Sequence, residues 1–299
     1  MALVFLKMTK ELAYAVNYLL GRDVAGRSLA VLPDDTFLVS FPRSGNTWMR
    51  FLVSNIVHAG HEVSFENVDR LIPEISKNSK RYLNSLPRPR ILKSHESLDL
   101  RYPRVVYIVR DPRDVAVSGY HFFLKRKRID ETLTIGGFVG RLLRLEFWED
   151  FGTWAENVGG WLGARLGTEG FLLVRYEDML RQPEAELAKV ATLLGVEADP
   201  KSLATAVERS KFLEMQKLET LQSDNWFLTK ETRKDIAFVR GGAAGGWKAA
   251  LPSESVEAIE RAWGYWMSFL GYDPVSSEAP VAAPVAAGAL LAAHRGLRR

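Results

Sequence analysis

The stretch TFLVSFPRSGNTW, Thr36 to Trp48, decides the fold. Its first half, Thr36 to Phe41, is a short β-rich apolar run that ends at Pro42, as a buried strand would. From Gly45 onward the spacing changes, with Trp48, Phe51, Leu52, Asn55 and Ile56 at helical intervals. A strand, a tight turn and a helix follow in that order. The turn has the chemistry of an anion site: Gly45 lets the backbone approach closely, and the N–H groups opening the helix can cradle a phosphate. Arg43 adds fixed charge, and Ser44, Asn46 and Thr47 add neutral donors. On these residues alone an ordinary polar turn capping a helix stays open. A standard triphosphatase loop is excluded, because G-x-x-x-x-G-K-[ST] would need glycine at position 40, which is Ser, and lysine at 46, which is Asn.

The same unit recurs outward from this stretch. Arg104 to Val109 reads as a fully buried strand, followed by Asp111 as N-cap and Pro112 at the first helical position. Arg110 then stands at a strand's carboxyl end, with Ser118 two turns into the next helix, so both can reach a second phosphate beside the first. We expect Arg113 to sit in a surface ion pair with Asp111 or Asp114. Further strands are expected at Arg90 to Lys93 and Phe171 to Arg175, with helices at Pro183 to Leu194 and about Pro252 to Leu270. The alternation predicts an α/β fold of three layers, α/β/α, with a central mostly parallel sheet and a P-loop-like phosphate-binding loop. Residues 1–272 are expected to form a single domain. The pattern weakens from about Lys211 to Lys248, and the glycines at 241, 242, 245 and 246 suggest a mobile, lid-like loop over about 211–250. The Pro- and Ala-rich stretch 273–299 reads as a poorly ordered tail.

Composition bounds the chemistry. The chain has 299 residues, 47% of them hydrophobic, so it can bury a substantial core. Its 40 basic and 36 acidic residues leave +4, too little to announce a nucleic-acid surface. With no cysteine, disulfides, thiolate catalysis and Cys-based metal sites are excluded. Lys7, Lys10 and Glu11 interrupt the apolar stretch Leu3 to Leu20, which reads as an amphipathic helix rather than a membrane span or signal peptide. The expected location is the cytoplasm.

With these residues in view, the sequence resembles the sulfotransferases that use 3′-phosphoadenosine 5′-phosphosulfate (PAPS), particularly the cytosolic type. FPRSGNTW resembles that family's 5′-phosphosulfate loop and YIVRDPRDVAVSGYHFF its 3′-phosphate segment. LKSHESL, FGTWAENVGGW, VRYEDML, SKFLEM and FVRGGAAGGWK also match, and together the motifs cover roughly residues 36–270. The resemblance implies PAPS as co-substrate without a metal, and a role for each matched position. Arg43 stands where the family usually has lysine, at the oxygen bridging phosphate and sulfate. Lys93 and His95 fall at the catalytic lysine and histidine, and Arg110 and Ser118 at the 3′-phosphate ligands. Arg240, Gly241 and Gly242 match the late loop that closes on that phosphate. Trp48, Tyr176, Ser210 and Phe212 match the positions that hold adenine, and aromatic faces suit a base.

Sulfuryl transfer to a hydroxyl needs a base for the acceptor's proton and cations for charge growing on the leaving phosphate. His95 is the expected base, since imidazole titrates near ~6.5. Arg43, Lys93 and Ser118 complete the catalytic set, and Arg43 can stabilise charge but not donate a proton. Of the other histidines, His58 and His61 lack a carboxylate cluster, and His121 with Phe122 and Phe123 reads as pocket wall or core. The run Lys125 to Arg128 reads as a solvated helix end, where cations are favoured.

Departures from the family pattern are also visible. Its Arg-Lys-Gly and Gly-Asp-Trp become Arg240-Gly241-Gly242 and Gly245-Gly246-Trp247, so the lid loses one cation and one carboxylate. The expected dimerisation motif after Lys248 is absent, which leaves the oligomeric state open. The acceptor is expected to be a small or medium-sized alcohol or phenol, partly apolar, lodged among Phe65, Phe122, Phe147, Trp148, Trp226 and Phe227. Two other readings are a nucleotide-dependent kinase on a related fold and a non-catalytic protein that binds the 3′,5′-bisphosphate.

Overall fold

The computed structural model describes residues 16, 17 and 20–275. Most of the N-terminal helix expected over Leu3 to Leu20, and nearly all of the tail after residue 272, lie outside the described residues. The core is a four-stranded sheet in the order β2-β1-β3-β4, every pair parallel. β1 is Thr36–Ser40, β2 Ile91–Ser94, β3 Arg104–Val109 and β4 Phe171–Arg175.

The two central strands, β1 and β3, are buried on both faces, which is why their sequences read as apolar runs rather than alternating ones, while β4 at the edge is mostly half-buried. Leu38, Val106, Ile108 and Val174 face a core shared with the helices Asn46–Val57 (α1), Pro183–Leu194 and Pro200–Arg209. Phe37, Val39, Val105, Tyr107 and Val109 face the opposite core, with side chains from the helices Pro112–Lys125 (α2), Trp154–Arg165 and Ser253–Phe269. The three-layer expectation therefore holds.

The chain reverses its direction of progress across the sheet between β1 and β3, which lie side by side while their successors run outward on opposite sides. A crevice opens at the carboxyl ends of such a pair, and two phosphate-type loops follow these strands.

Local chemistry fixes the strand and helix ends. Asp111 accepts from the Arg113 backbone N–H at 2.9 Å and Pro112 opens α2, as the sequence implied. β2 starts one residue later than expected. Arg90 is committed to a buried bidentate pair with Asp35 at 2.6 and 2.8 Å, and Ser94 extends the register opposite Val39.

Three other expectations are corrected. Arg113 is not on the surface: its guanidinium is 3% exposed, between Asp111 at 2.7 Å and Glu260 at 2.6 Å. Lys125 is not solvated either. Its ammonium donates to the carbonyls of Arg233 and Ile236 at 3.0 and 2.6 Å, and only Lys127 and Arg128 of that run are exposed. The segment expected as a loop from about 211 begins with a helix, Phe212–Gln222. Met215 is buried while Leu213 and Leu221 are mostly exposed, so this helix carries no apolar stripe for a periodicity reading to detect. Its Glu219 then anchors the following loop by accepting from the N–H groups of Phe238 and Val239 at 2.7 and 2.8 Å.

Candidate active site

The turn after β1 is built on Gly45. Its φ of +103° is left-handed, and a Cβ there would lie 2.5 Å from the Tyr176 ring. The ring thus packs against the bare backbone at the start of α1, where the first N–H groups have no partner within the helix. Asn46 points inward, donating to the Leu38 carbonyl at 3.0 Å and the Ser40 hydroxyl at 3.2 Å. Ser44 is fully buried. The Asn46 amide therefore braces the turn, the Ser44 hydroxyl is buried beside it without a hydrogen-bond partner among the described residues, and Asn46 and Thr47 both border the cavity. We expect Gly45→Ala to lower 3′,5′-bisphosphate affinity at least about tenfold, because the methyl must push Tyr176 aside; calorimetric titration checks it.

Three guanidiniums converge above this turn. Arg43, itself left-handed at φ 68°, lies between the rings of Phe122 and Phe238, 4.7 Å from each centroid, and donates to the Ser118 hydroxyl at 3.1 Å. Arg110 stacks on Tyr176 at 4.2 Å and donates to the Ala243 carbonyl at 3.1 Å. Burial, with Arg240 and Arg110 close by, pushes the Arg43 guanidinium down to about 9. Burial and Arg110 likewise lower Arg240. No carboxylate forms an ion pair with any of the three among the described residues. The Nε of Arg110 is buried without a hydrogen-bond partner. Repelling, under-satisfied guanidiniums fit a polyanion with phosphates at two separate positions.

The late loop is tied to the same place. Asp114 accepts from the N–H groups of Gly245 and Trp247 at 2.7 and 3.0 Å, which holds Arg240, Gly241 and Gly242 at the cavity rim. Gly242, at φ 57°, lies against the Phe212 ring. Phe212, Trp48 and Tyr176 form one aromatic cluster, with Trp48 5.1 Å from Phe212 and 5.8 Å from Tyr176. Ser210, expected among the residues that hold the base, adjoins this cluster. It is fully buried, its carbonyl accepts from the Trp48 indole at 2.9 Å, and its hydroxyl accepts from Asn55 at 3.2 Å.

At the other side of β1 stands His95. Its Nδ1 lies 2.7 Å from the Ser40 carbonyl, an acceptor, so Nδ1 carries the proton and Nε2 keeps a lone pair. Burial and the neighbouring Lys93 push the imidazole down to about 3. Lys93 pairs at 2.7 Å with Glu74, a residue that the sequence reading missed. Both side chains are nearly buried. Burial works to raise Glu74, but Lys93 and His95 outweigh it and hold the carboxyl well below the usual range. Nothing in the sequence marks Glu74. It reaches Lys93 because the Pro73–Ile75 backbone pairs along the free edge of β2, with Lys93 N–H on the Pro73 carbonyl at 2.8 Å.

These groups line one cavity of about 730 Å³. Beyond His95 its walls are aromatic: Phe122, Phe123, Trp148, Phe151, Phe227 and Phe238. Phe65, Phe147 and Trp226, expected here, are instead core residues, with the Phe65 ring tilted against Trp226 at 4.4 Å and the Phe147 ring against Phe123 at 4.5 Å. Phe151 and Phe238 went unread, the one from a loop helix, the other from the segment without periodicity. His121 also borders the cavity, and burial with Arg240 pushes it down to about 4.

A parallel sheet with three uncompensated guanidiniums gathered at its switch point, opening on an aromatic chamber, has the form of an enzyme that handles a polyanion beside an apolar ligand. Within that class the family is settled by comparison. Residues 33–271 match the model of the sulfotransferase domain, and the chain belongs to that family. It is accordingly a PAPS-dependent sulfotransferase. Among relatives, it is 29% identical to 3-beta-hydroxysteroid sulfotransferase of Cavia porcellus over 265 residues, 85% of this chain and 89% of the other. It is 25% identical to amine sulfotransferase of Oryctolagus cuniculus over 240 residues, 76% of this chain and 79% of that one. In fold it resembles mouse sulfotransferase SULT7A1, solved with PAP, at a TM-score of 0.64 and 22% identity over 81% of this chain and 87% of that chain. No helix among the described residues is long and apolar enough to cross a membrane.

Proposed function

We propose that this sulfotransferase transfers the sulfuryl group to the hydroxyl of a small or medium-sized, largely apolar acceptor, with His95 as general base. The observation that carries this reading is the imidazole itself. It is held in one tautomer by the Ser40 carbonyl, is neutral at pH 7, and borders the aromatic chamber next to Arg43. Its Nε2 lone pair is the available proton acceptor. Lys93, neutralised by Glu74, keeps a donor at the chamber floor without adding net charge. Arg43 and Ser118 face the charge that grows on the leaving group, while Arg110 and Arg240, with the backbone at Gly241 and Gly242, hold the remote phosphate. Trp48, Tyr176 and Phe212 supply the faces for the base.

The carboxylates bordering the cavity favour a hydroxyl acceptor over an ammonium. Glu74 is committed to Lys93 and Asp114 to two backbone N–H groups, so neither is free to attract a cation.

Calorimetric titration with 3′-phosphoadenosine 5′-phosphate, and with ATP and magnesium as control, tests the donor side, and sulfation of phenols and alcohols tests the acceptor side. Tight bisphosphate binding with turnover is the expected result. Preference for ATP would promote the kinase reading, and tight binding without turnover on any acceptor the non-catalytic one. Arg110→Ala is expected to weaken the 3′,5′-bisphosphate about tenfold or more, and the 5′-monophosphate much less. Equal weakening of both would move the 3′ site elsewhere.

A further inference from the structure

We infer that the acceptor carries an anionic group, held by Arg126 and Arg128, at the end remote from its reacting hydroxyl; this rests on the hydroxyl-transfer reading above. α2 runs along the cavity and grades its character. Ser118 touches Arg43 at one end, Phe122 and Phe123 form the middle, and Arg126 caps the helix at the other. At 1.5 Å per residue, Arg126 lies about 12 Å beyond Ser118 along the helix axis. Its guanidinium borders the cavity, where it donates to the Phe227 carbonyl at 2.9 Å and keeps its other donors.

Arg128 borders the same space, and neither arginine forms an ion pair with a carboxylate among the described residues. Burial and the nearness of Arg128 together lower Arg126, so the pair stands in mutual repulsion. A helix C-terminus favours cations in general, but that does not account for two arginines, Arg126 half-buried and Arg128 exposed, that both border an apolar chamber. The donor's phosphates do not answer these two charges, because Arg43, Arg110 and Arg240 gather at the Ser118 end. The match is an amphipathic acid: a hydroxyl at His95, a ring body against the phenyl rings, and a carboxylate or similar anion roughly 10 Å away, on the scale of the helix rise.

The test compares a phenol bearing a para four-carbon carboxylate chain with its methyl ester. In the wild-type enzyme kcat/KM for the acid should exceed that for the ester about tenfold at low salt, from two partly exposed charge pairs, and the gap should shrink at high salt. Arg126→Gln with Arg128→Gln should bring the ratio to about one, and Arg128→Glu should turn the preference toward the matching amine. A wild-type ratio near one, or a ratio indifferent to both variants, overturns the inference. The O-methylated acid and ester, titrated into the bisphosphate complex, give the same ratio without chemistry. If neither phenol is sulfated, the hydroxyl reading fails while this binding ratio still decides the anion site, tighter acid supporting it and equal affinity refuting it.

Discussion

Replacing His95 by alanine should lower kcat by about 10³-fold, within the range for a lost general base, while 3′,5′-bisphosphate affinity stays within a few-fold. The two effects separate because the His95 imidazole is hydrogen-bonded to the Ser40 carbonyl and not to any of the three guanidiniums. Stopped-assay kinetics and calorimetry on one preparation check both; retained transfer would remove His95 from the mechanism. The pH dependence follows from the same burial. With the imidazole pushed down to about 3, kcat/KM for the donor should show no acid limb near 6.5 and decline only well below it. Anions bound beside His95 favour its protonated form, so the limb of kcat should lie above that of kcat/KM. The effect on stability has a defined sign. A folded pKa below the unfolded value means the unfolded chain binds the extra proton between pH 6.5 and 3, so His95 withdraws stability as pH falls through that window.

The second large effect is expected at Glu74, and it is mainly one of stability. Glu74→Ala leaves Lys93 nearly buried with its charge uncompensated, a change that costs about 3–5 kcal/mol in comparable pairs. Urea denaturation should show the loss, and Lys93→Met in the same chain should restore much of it, since the orphaned charge is then gone. If the double variant is no more stable than the single one, the cost lies in packing at the β2 edge instead. Activity should fall as well, because Glu74 is the charge that counters Lys93 beside His95.

The sheet and the donor side were legible because each rests on neighbours in sequence. β1, β3 and β4 are apolar runs with sharp ends, and Asp111-Pro112 states where α2 begins. The Arg43 turn and the Arg110 junction lie at the ends of those runs, so locating the strands located them. What was missed depends on contacts made across the chain. Glu74 finds Lys93 by strand-edge pairing, Phe238 finds Arg43 through the Glu219 anchor, and Phe65 and Trp226 turn from the cavity to pack on one another. Ser210 matched a motif, yet the motif could not show that its side chain faces inward.

β1 stands at the centre of the sheet but is made first. Thr36 must wait for Ile91, about 55 residues later, and then for Arg104 on its other side. At a synthesis rate of about 5–20 residues per second, the TFLVS segment leaves the ribosome roughly 3–11 seconds before its first partner exists. An apolar strand with both hydrogen-bonding edges open is a template for wrong pairing during that interval. The arrangement that brings two anion loops together at one crevice therefore leaves an aggregation-prone edge open in the nascent chain, and slower translation between residues 41 and 91 should lower its soluble yield.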